Sequence, residues 1–93
     1  MYQIRFAKQF RKSLKRIIRS GSLKHEQVET VINSIATAKT LDQKYHDHSL
    51  AGEFTGYREC HIKPNVLLIY KIEKKILILV LVDIGSHADL FGK

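Results

Sequence analysis

One cysteine, one proline and no tryptophan occur in this 93-residue chain, and each scarcity excludes something. A lone Cys60 cannot close an internal disulfide, so nothing ties the fold to an oxidising compartment. The longest uninterrupted apolar run, Ile76–Val82, is far shorter than the ~20 residues a membrane-spanning helix needs. With 44% hydrophobic and 27% charged residues and no internal repeat, the composition is that of an ordinary folded domain, neither disordered nor of low complexity. The length suits a single domain over residues 1–93 with a thin core, because a chain of this size buries only roughly 60–65% of its unfolded surface. A soluble, cytoplasmic protein is the expectation.

Acidic residues are missing where basic ones crowd. Arg5, Lys8, Arg11, Lys12, Lys15, Arg16 and Arg19 supply seven of the sixteen cations, and no Asp or Glu stands among the first twenty residues. The stretch has the charge of a transit peptide but no apolar h-region or cleavage site, so it reads as a packed helix. Together with a net charge of +7, this stripe attracts phosphate backbones, anionic membranes or an acidic protein, and charge alone does not choose among them. Arg11 and Lys15 lie in its middle as candidate RNA contacts; the plainer alternative is a solvated helix face.

Periodicity organises the rest. Tyr2–Phe6 alternates and predicts a first strand. Phe10, Leu14, Ile17 and Ile18 recur at steps of three and four, predicting a helix from Ala7 to about Arg19 that Ser20-Gly21-Ser22 ends. A second helix is expected from about Leu23 to Ala38, capped by Ser22, without a capping box because position 25 is His. Thr40–Gly56 is a long polar connection carrying His46-Asp47-His48, the kind of loop that holds function. Strands follow over Tyr57–Ile62, Val66–Ile72 and Ile76–Val82, the last expected to be central, and Ala88–Phe91 forms a final helical turn. The order β-α-α-β-β-β implies an α+β domain, two helices on one face of a mostly antiparallel sheet, with the other face partly open. Alternation sends Cys60 and Ile62 to one side and Tyr57, Glu59 and His61 to the other.

Four of the five histidines, His46, His48, His61 and His87, fall outside the helical half. Cutting RNA without a metal needs a base for the 2′-OH, an acid for the 5′-oxygen and cations for the charged phosphorane, and imidazole is the side chain whose ordinary pKa lies near neutrality. His48, His61 and His87 are the proton-transfer candidates; Arg58 and Lys63, flanking the strand of His61, are the charge-stabilising ones. Each histidine taken alone is more often a surface or structural residue. Metal binding competes for the same side chains, with His46-x-His48 and His61 or His87 as ligands, but no CxxC, HExxH or dense acidic set accompanies them, so no metal or cofactor is expected. Cys60, on the core side of its strand, is expected to be inert.

Four motifs then stand in order: Asp47-His48-Ser49-Leu50-Ala51-Gly52, Gly56-Tyr57-Arg58-Glu59-Cys60-His61-Ile62-Lys63-Pro64-Asn65, Leu67-Leu68-Ile69-Tyr70, and Gly85-Ser86-His87-Ala88-Asp89-Leu90-Phe91. Together they resemble the YafQ-type toxins of the RelE superfamily, over the whole domain, although the helical half matches only in pattern. The resemblance implies a microbial-ribonuclease-like α+β fold and a ribosome-associated messenger-RNA endonuclease held inactive by a cognate antitoxin. It implies catalytic roles for His48, His61 and His87 and places the aromatic Phe91 near the site, holding or stacking on a base. Asn65 departs from it, since the family often has Asp there. Asparagine can bind RNA through hydrogen bonds but cannot take a proton at neutral pH, so a base role falls to a histidine.

The expectation is therefore a cytoplasmic, ribosome-dependent mRNA endoribonuclease, the toxin of a toxin–antitoxin pair, partnered by an acidic antitoxin and by mRNA on the ribosome, with no membrane and no small-molecule cofactor. Two other classes share the basic helix: a non-catalytic nucleic-acid-binding module, or a protein acting through its partner alone. Neither needs the three histidines.

Overall fold

The computed structural model describes residues 1–92. Its elements follow the expected order with one added strand: β1 Gln3–Phe6, α1 Lys8–Arg19, α2 His25–Ala36, β2 His48–Ser49, β3 Arg58–Lys63, β4 Val66–Glu73, β5 Ile78–Gly85 and α3 His87–Phe91. The new strand β2 lies inside the polar connection, which also holds short 3-10 turns at Gln43–Tyr45 and Gly52–Phe54.

The strands form one sheet in the order β1-β5-β4-β3-β2, antiparallel except for β1 beside β5. Both helices cover one face. Phe10 of α1 and Val28, Val31, Ile32 and Ile35 of α2 pack with Cys60, Leu68, Tyr70, Leu79, Leu81 and Ile84 from the sheet, removing their apolar surface from water and supplying the main driving force for folding. Leu14, Ile17 and Ile18 are only partly buried against this core, so the cationic side of α1 faces solvent as its periodicity requires.

Gly21, with φ +80, makes the tight turn after α1, a conformation costly for any residue with a Cβ. The second helix begins two residues later than expected. Its N-cap is Lys24, not Ser22, and Gln27 Oε1 accepts from the Lys24 backbone N–H at 3.0 Å. Leu23 and Val28, both 2% exposed, bracket that cap in the positions of a hydrophobic staple. The Ser22 carbonyl instead accepts from Lys63 Nζ at 3.0 Å.

β5 also departs from expectation. Its pairing runs from Glu73↔Ile78 to Leu67↔Gly85, so Ile76 and Leu77 lie exposed in the turn, with Leu77 at φ +55. A bulge leaves Val82 unpaired between Leu81↔Tyr70 and Asp83↔Ile69, and this extra residue returns Ile84 to the core side. The strand is interior, but β4 is the middle one. The second sheet face is less open than expected: Glu59, Leu67 and Ile69 are buried on it, and α3 packs at the end of β5.

Candidate active site

Strand alternation builds the site from β3. Cys60 and Ile62 enter the helical core, so Glu59 and His61 stand on the other face. The pairing His48↔Glu59 brings β2 alongside. As a result the Glu59 carboxylate, 6% exposed, has one oxygen 3.1 Å from His61 Nε2 and 3.7 Å from His48 Nε2.

The partners dictate the tautomers. An ionised carboxylate only accepts, so His61 donates through Nε2–H, and its neutral ring keeps a lone pair on Nδ1. His48 Nδ1 lies 2.7 Å from the His46 carbonyl, which also only accepts. Neutral His48 therefore carries its proton on Nδ1, and its bare Nε2 faces the Glu59 carboxylate. His46 turns the chain at φ 49, the left-handed region that His enters more readily than most residues, and its ring meets His61 edge-on at 5.6 Å between centroids.

These rings border a groove of about 1020 Å³ between the β2–β3 edge and α2, lined also by Lys44, Lys63 and Thr30. Lys63 points into it while bonded to the Ser22 carbonyl. Asn65 stands exposed in the hairpin turn beside Pro64, which lines the groove.

His87 belongs to a second group. A reciprocal cap starts α3: Ser86 Oγ accepts from the Asp89 N–H and Asp89 Oδ2 accepts from the Ser86 N–H, both at 3.1 Å. These bonds to Ser86 hold the exposed Asp89 carboxyl below its ordinary pKa. Gly85 leaves room for this cap, since a Cβ there would come within 3.1 Å of the Asp89 side chain. The His87 ring then lies 4.8 Å from Phe91, and Phe91 meets Phe54 edge-on at 5.2 Å. Among the described residues no hydrogen bond or ring contact joins His87 to Glu59, His48 or His61. The cross-strand row His61, Leu67, Gly85 nevertheless starts α3 at the end of the sheet where His61 stands.

Arg58 stands apart from the histidines. It alternates to the side of Cys60, away from Glu59 and His61, and its guanidinium donates to Asp47 Oδ2 and Ser49 Oγ, both at 2.8 Å. Tyr70 donates its hydroxyl to the other Asp47 oxygen. Arg58 is thus committed to Asp47, whose hydrogen bond raises its pKa further, and does not face the histidines. Burial first, and the Asp47 bond second, push the Tyr70 hydroxyl up. Arg11 and Lys15 are exposed on α1 and are not among the residues that line the groove; the Arg11 guanidinium lies 5.2 Å over the Phe6 ring. Cys60 is fully buried and its thiol is pushed up to about 12, chiefly by burial.

Sequence reasoning missed Glu59, Asp47 and Tyr70 as parts of the site. Glu59 carried a signal, an acid two residues before His61 on the same strand face. Asp47 and Tyr70 lie 23 positions apart, and nothing local pairs them.

Comparison with known proteins agrees with this architecture. A family model described as "Bacterial toxin of type II toxin-antitoxin system, YafQ" matches residues 2–92. The mRNA interferase toxin YafQ of Escherichia coli K12 is 33% identical over 91 residues, covering 98% of this chain and 92% of that protein. A metal-bound toxin from Helicobacter pylori superposes with a TM-score of 0.92 at 41% identity, over 98% of this chain and all of that one. The E. coli DinJ-YafQ toxin-antitoxin complex contains a chain matching at TM-score 0.85 and 28% identity, over 98% of each. A match that runs from the first strand through α3 takes in every element that builds the site, and the chain belongs to the YafQ family of bacterial type II toxin–antitoxin toxins.

Proposed function

We propose that this toxin is a metal-independent endoribonuclease that cuts messenger RNA on the ribosome and is silenced by an acidic antitoxin. The observation that carries the reading is the buried Glu59 carboxylate beside both His48 and His61. His48 Nε2 takes the 2′-OH proton, and the resulting imidazolium has Glu59 as its counter-charge, so charge separation is stabilised where it develops. The 2′-oxygen attacks the adjacent phosphorus and the bond to the 5′-oxygen breaks. His87 protonates that leaving oxygen, giving a 2′,3′-cyclic phosphate and a 5′-hydroxyl. Lys63 and Lys44, on the groove wall, face the charge of the phosphorane. His61 is the alternative base, through Nδ1. Asn65 cannot take a proton, which leaves the base role to a histidine.

The E. coli relative's name, mRNA interferase toxin, supports the substrate. Ribosome dependence has a physical rationale: Glu59–His48 and His87 stand in separate groups, and an external scaffold would hold a flexible strand in line across both. The E. coli toxin is seen with its antitoxin DinJ, and a net charge of +7 favours an acidic partner segment that folds on binding. These roles place the protein in the cytoplasm.

A second reading has the histidines holding a metal, and the metal-bound H. pylori toxin favours it. It ranks lower because no group of three His, Cys, Asp or Glu side chains among the described residues has a metal-holding arrangement.

The test is cleavage of a defined mRNA on translating ribosomes, with 5′ ends mapped, for the wild type and His87→Ala. Site-specific cuts that persist in EDTA and vanish in the variant are expected. Dependence on added Zn²⁺, or equal cutting of free RNA, would overturn the metal-free or ribosome-dependent part respectively.

A further inference from the structure

β2 is two residues long and pairs with β3 at only two positions, His48↔Glu59 and Ser49↔Arg58. A ladder this short recovers little of the entropy lost in fixing the backbone, which costs about 1–2 kcal/mol per residue. Yet His48 must be held so that Nδ1 meets the His46 carbonyl and Nε2 faces Glu59. The His48 side chain is itself half exposed, so packing does not hold it.

Its two neighbours are held instead. Asp47 and Ser49 both turn to the opposite side of the sheet, where one guanidinium, that of Arg58, donates to each at 2.8 Å. Tyr70, buried in the core, supplies a second donor to Asp47 from the adjacent strand β4. The residues before and after His48 are thereby tied to two strands of the sheet, with each Asp47 carboxylate oxygen holding one donor.

We propose that Asp47, gripped by Arg58 and Tyr70, is a positioning residue for proton transfer: it fixes the backbone on which His48 presents its Nε2 lone pair to the 2′-OH. The inference rests on the reading of His48 as the base. Asp47 never touches RNA and acts only through the orientation and tautomer of its neighbour. Bidentate geometry is essential, because a carboxylate can take both donors at once whereas an amide would turn its NH₂ toward one of them.

Two measurements on full-length protein test this. The first is ¹⁵N NMR of the histidine rings in wild type, Tyr70→Phe and Asp47→Asn, which reads the tautomer without any substrate. The Nδ1–H form of His48 is expected to dominate in the wild type and to give way to a tautomer mixture in both variants. The second is kcat and KM for ribosomal mRNA cleavage. A loss in kcat of roughly 10- to 100-fold with little change in KM is expected, the scale on which small misplacements act. Tyr70→Phe keeps the ring that fills the core, so it tests the clamp where Asp47→Asn fails to fold. Unchanged tautomer populations in a folded Tyr70→Phe would overturn the proposal, as would a fall confined to thermal stability with kcat retained. A wild type that shows the fixed tautomer but cuts no RNA would overturn the endonuclease reading, and with it the catalytic part of this inference.

Discussion

Glu59 accepts a hydrogen bond from His61 at 3.1 Å from a position that is 6% exposed. A buried carboxylate is costly unless it is bonded and its charge compensated. Here His61 supplies the bond, and the counter-charge arises only when the His48 ring, 3.7 Å away, takes up a proton, so the cost of burial is tied to proton transfer.

Glu59→Gln keeps the shape and an acceptor for His61 but removes the counter-charge. Cleavage of ribosome-bound mRNA is expected to fall about 10- to 100-fold in kcat, the usual scale for one acid/base or electrostatic contribution. Single-turnover kinetics at neutral pH check this, and an unchanged rate would remove Glu59 from the mechanism.

Arg58→Lys keeps the charge on the clamp and loses its fork. An ammonium cannot reproduce the planar pair of bonds to Asp47 and Ser49. The expected cost is about 1–2 kcal/mol for a partly exposed, charge-assisted bond, read as a lower denaturation midpoint in urea. Retention of the wild-type midpoint would show that the second bond contributes nothing.

Phe91 packs on both Phe54 and His87, so its ring anchors α3 as well as standing near the site. Phe91→Ala is expected to cut kcat by roughly tenfold or more by loosening His87, while Phe91→Tyr retains most activity. Full activity in Phe91→Ala would remove this ring from the mechanism.

Cys60 and Tyr70 predict the alkaline limb of stability. Both folded pKa values are raised, to about 12 for Cys60, so above the ordinary values of 9.0 and 10.0 the unfolded chain releases protons that the folded chain keeps. Stability is therefore fully present below pH 9 and falls as pH rises through that range toward 12. Thermal midpoints between pH 8 and 11 should decline, less steeply in Cys60→Ala after correction for its lower baseline. The native thiol should also resist alkylation at pH 8 until the protein unfolds.

Much of the fold was readable locally. The steps of three and four in α1 and the alternation of β3 follow from how Cβ atoms project from helix and strand, so they predicted Phe10 in the core and His61 opposite Cys60. Four ordered motifs pointed to the family. The start of β5 was not readable, because an apolar Ile76 and Leu77 satisfy any strand pattern while pairing with β4 and the bulge at Val82 decide which residues reach the core. Nor was the parallel contact of β1 with β5, which joins residues 75 positions apart.

The site divides the same way. Residue types and motif order named His48, His61 and His87, since chemistry near neutral pH restricts the choice to few side chains. Their arrangement is tertiary: Glu59 joins His48 to His61 only once β2 pairs with β3, and His87 stands apart with Phe91. Arg58 shows the limit most clearly. Its sequence neighbourhood marked it as a phosphate contact, but one step of strand alternation turned it to the other face, where Asp47 and Tyr70, brought from 11 and 12 residues away, decide its partner. A sequence records which charges exist; which of them meet depends on the pairing of distant strands, whose energy lies in contacts no local window contains.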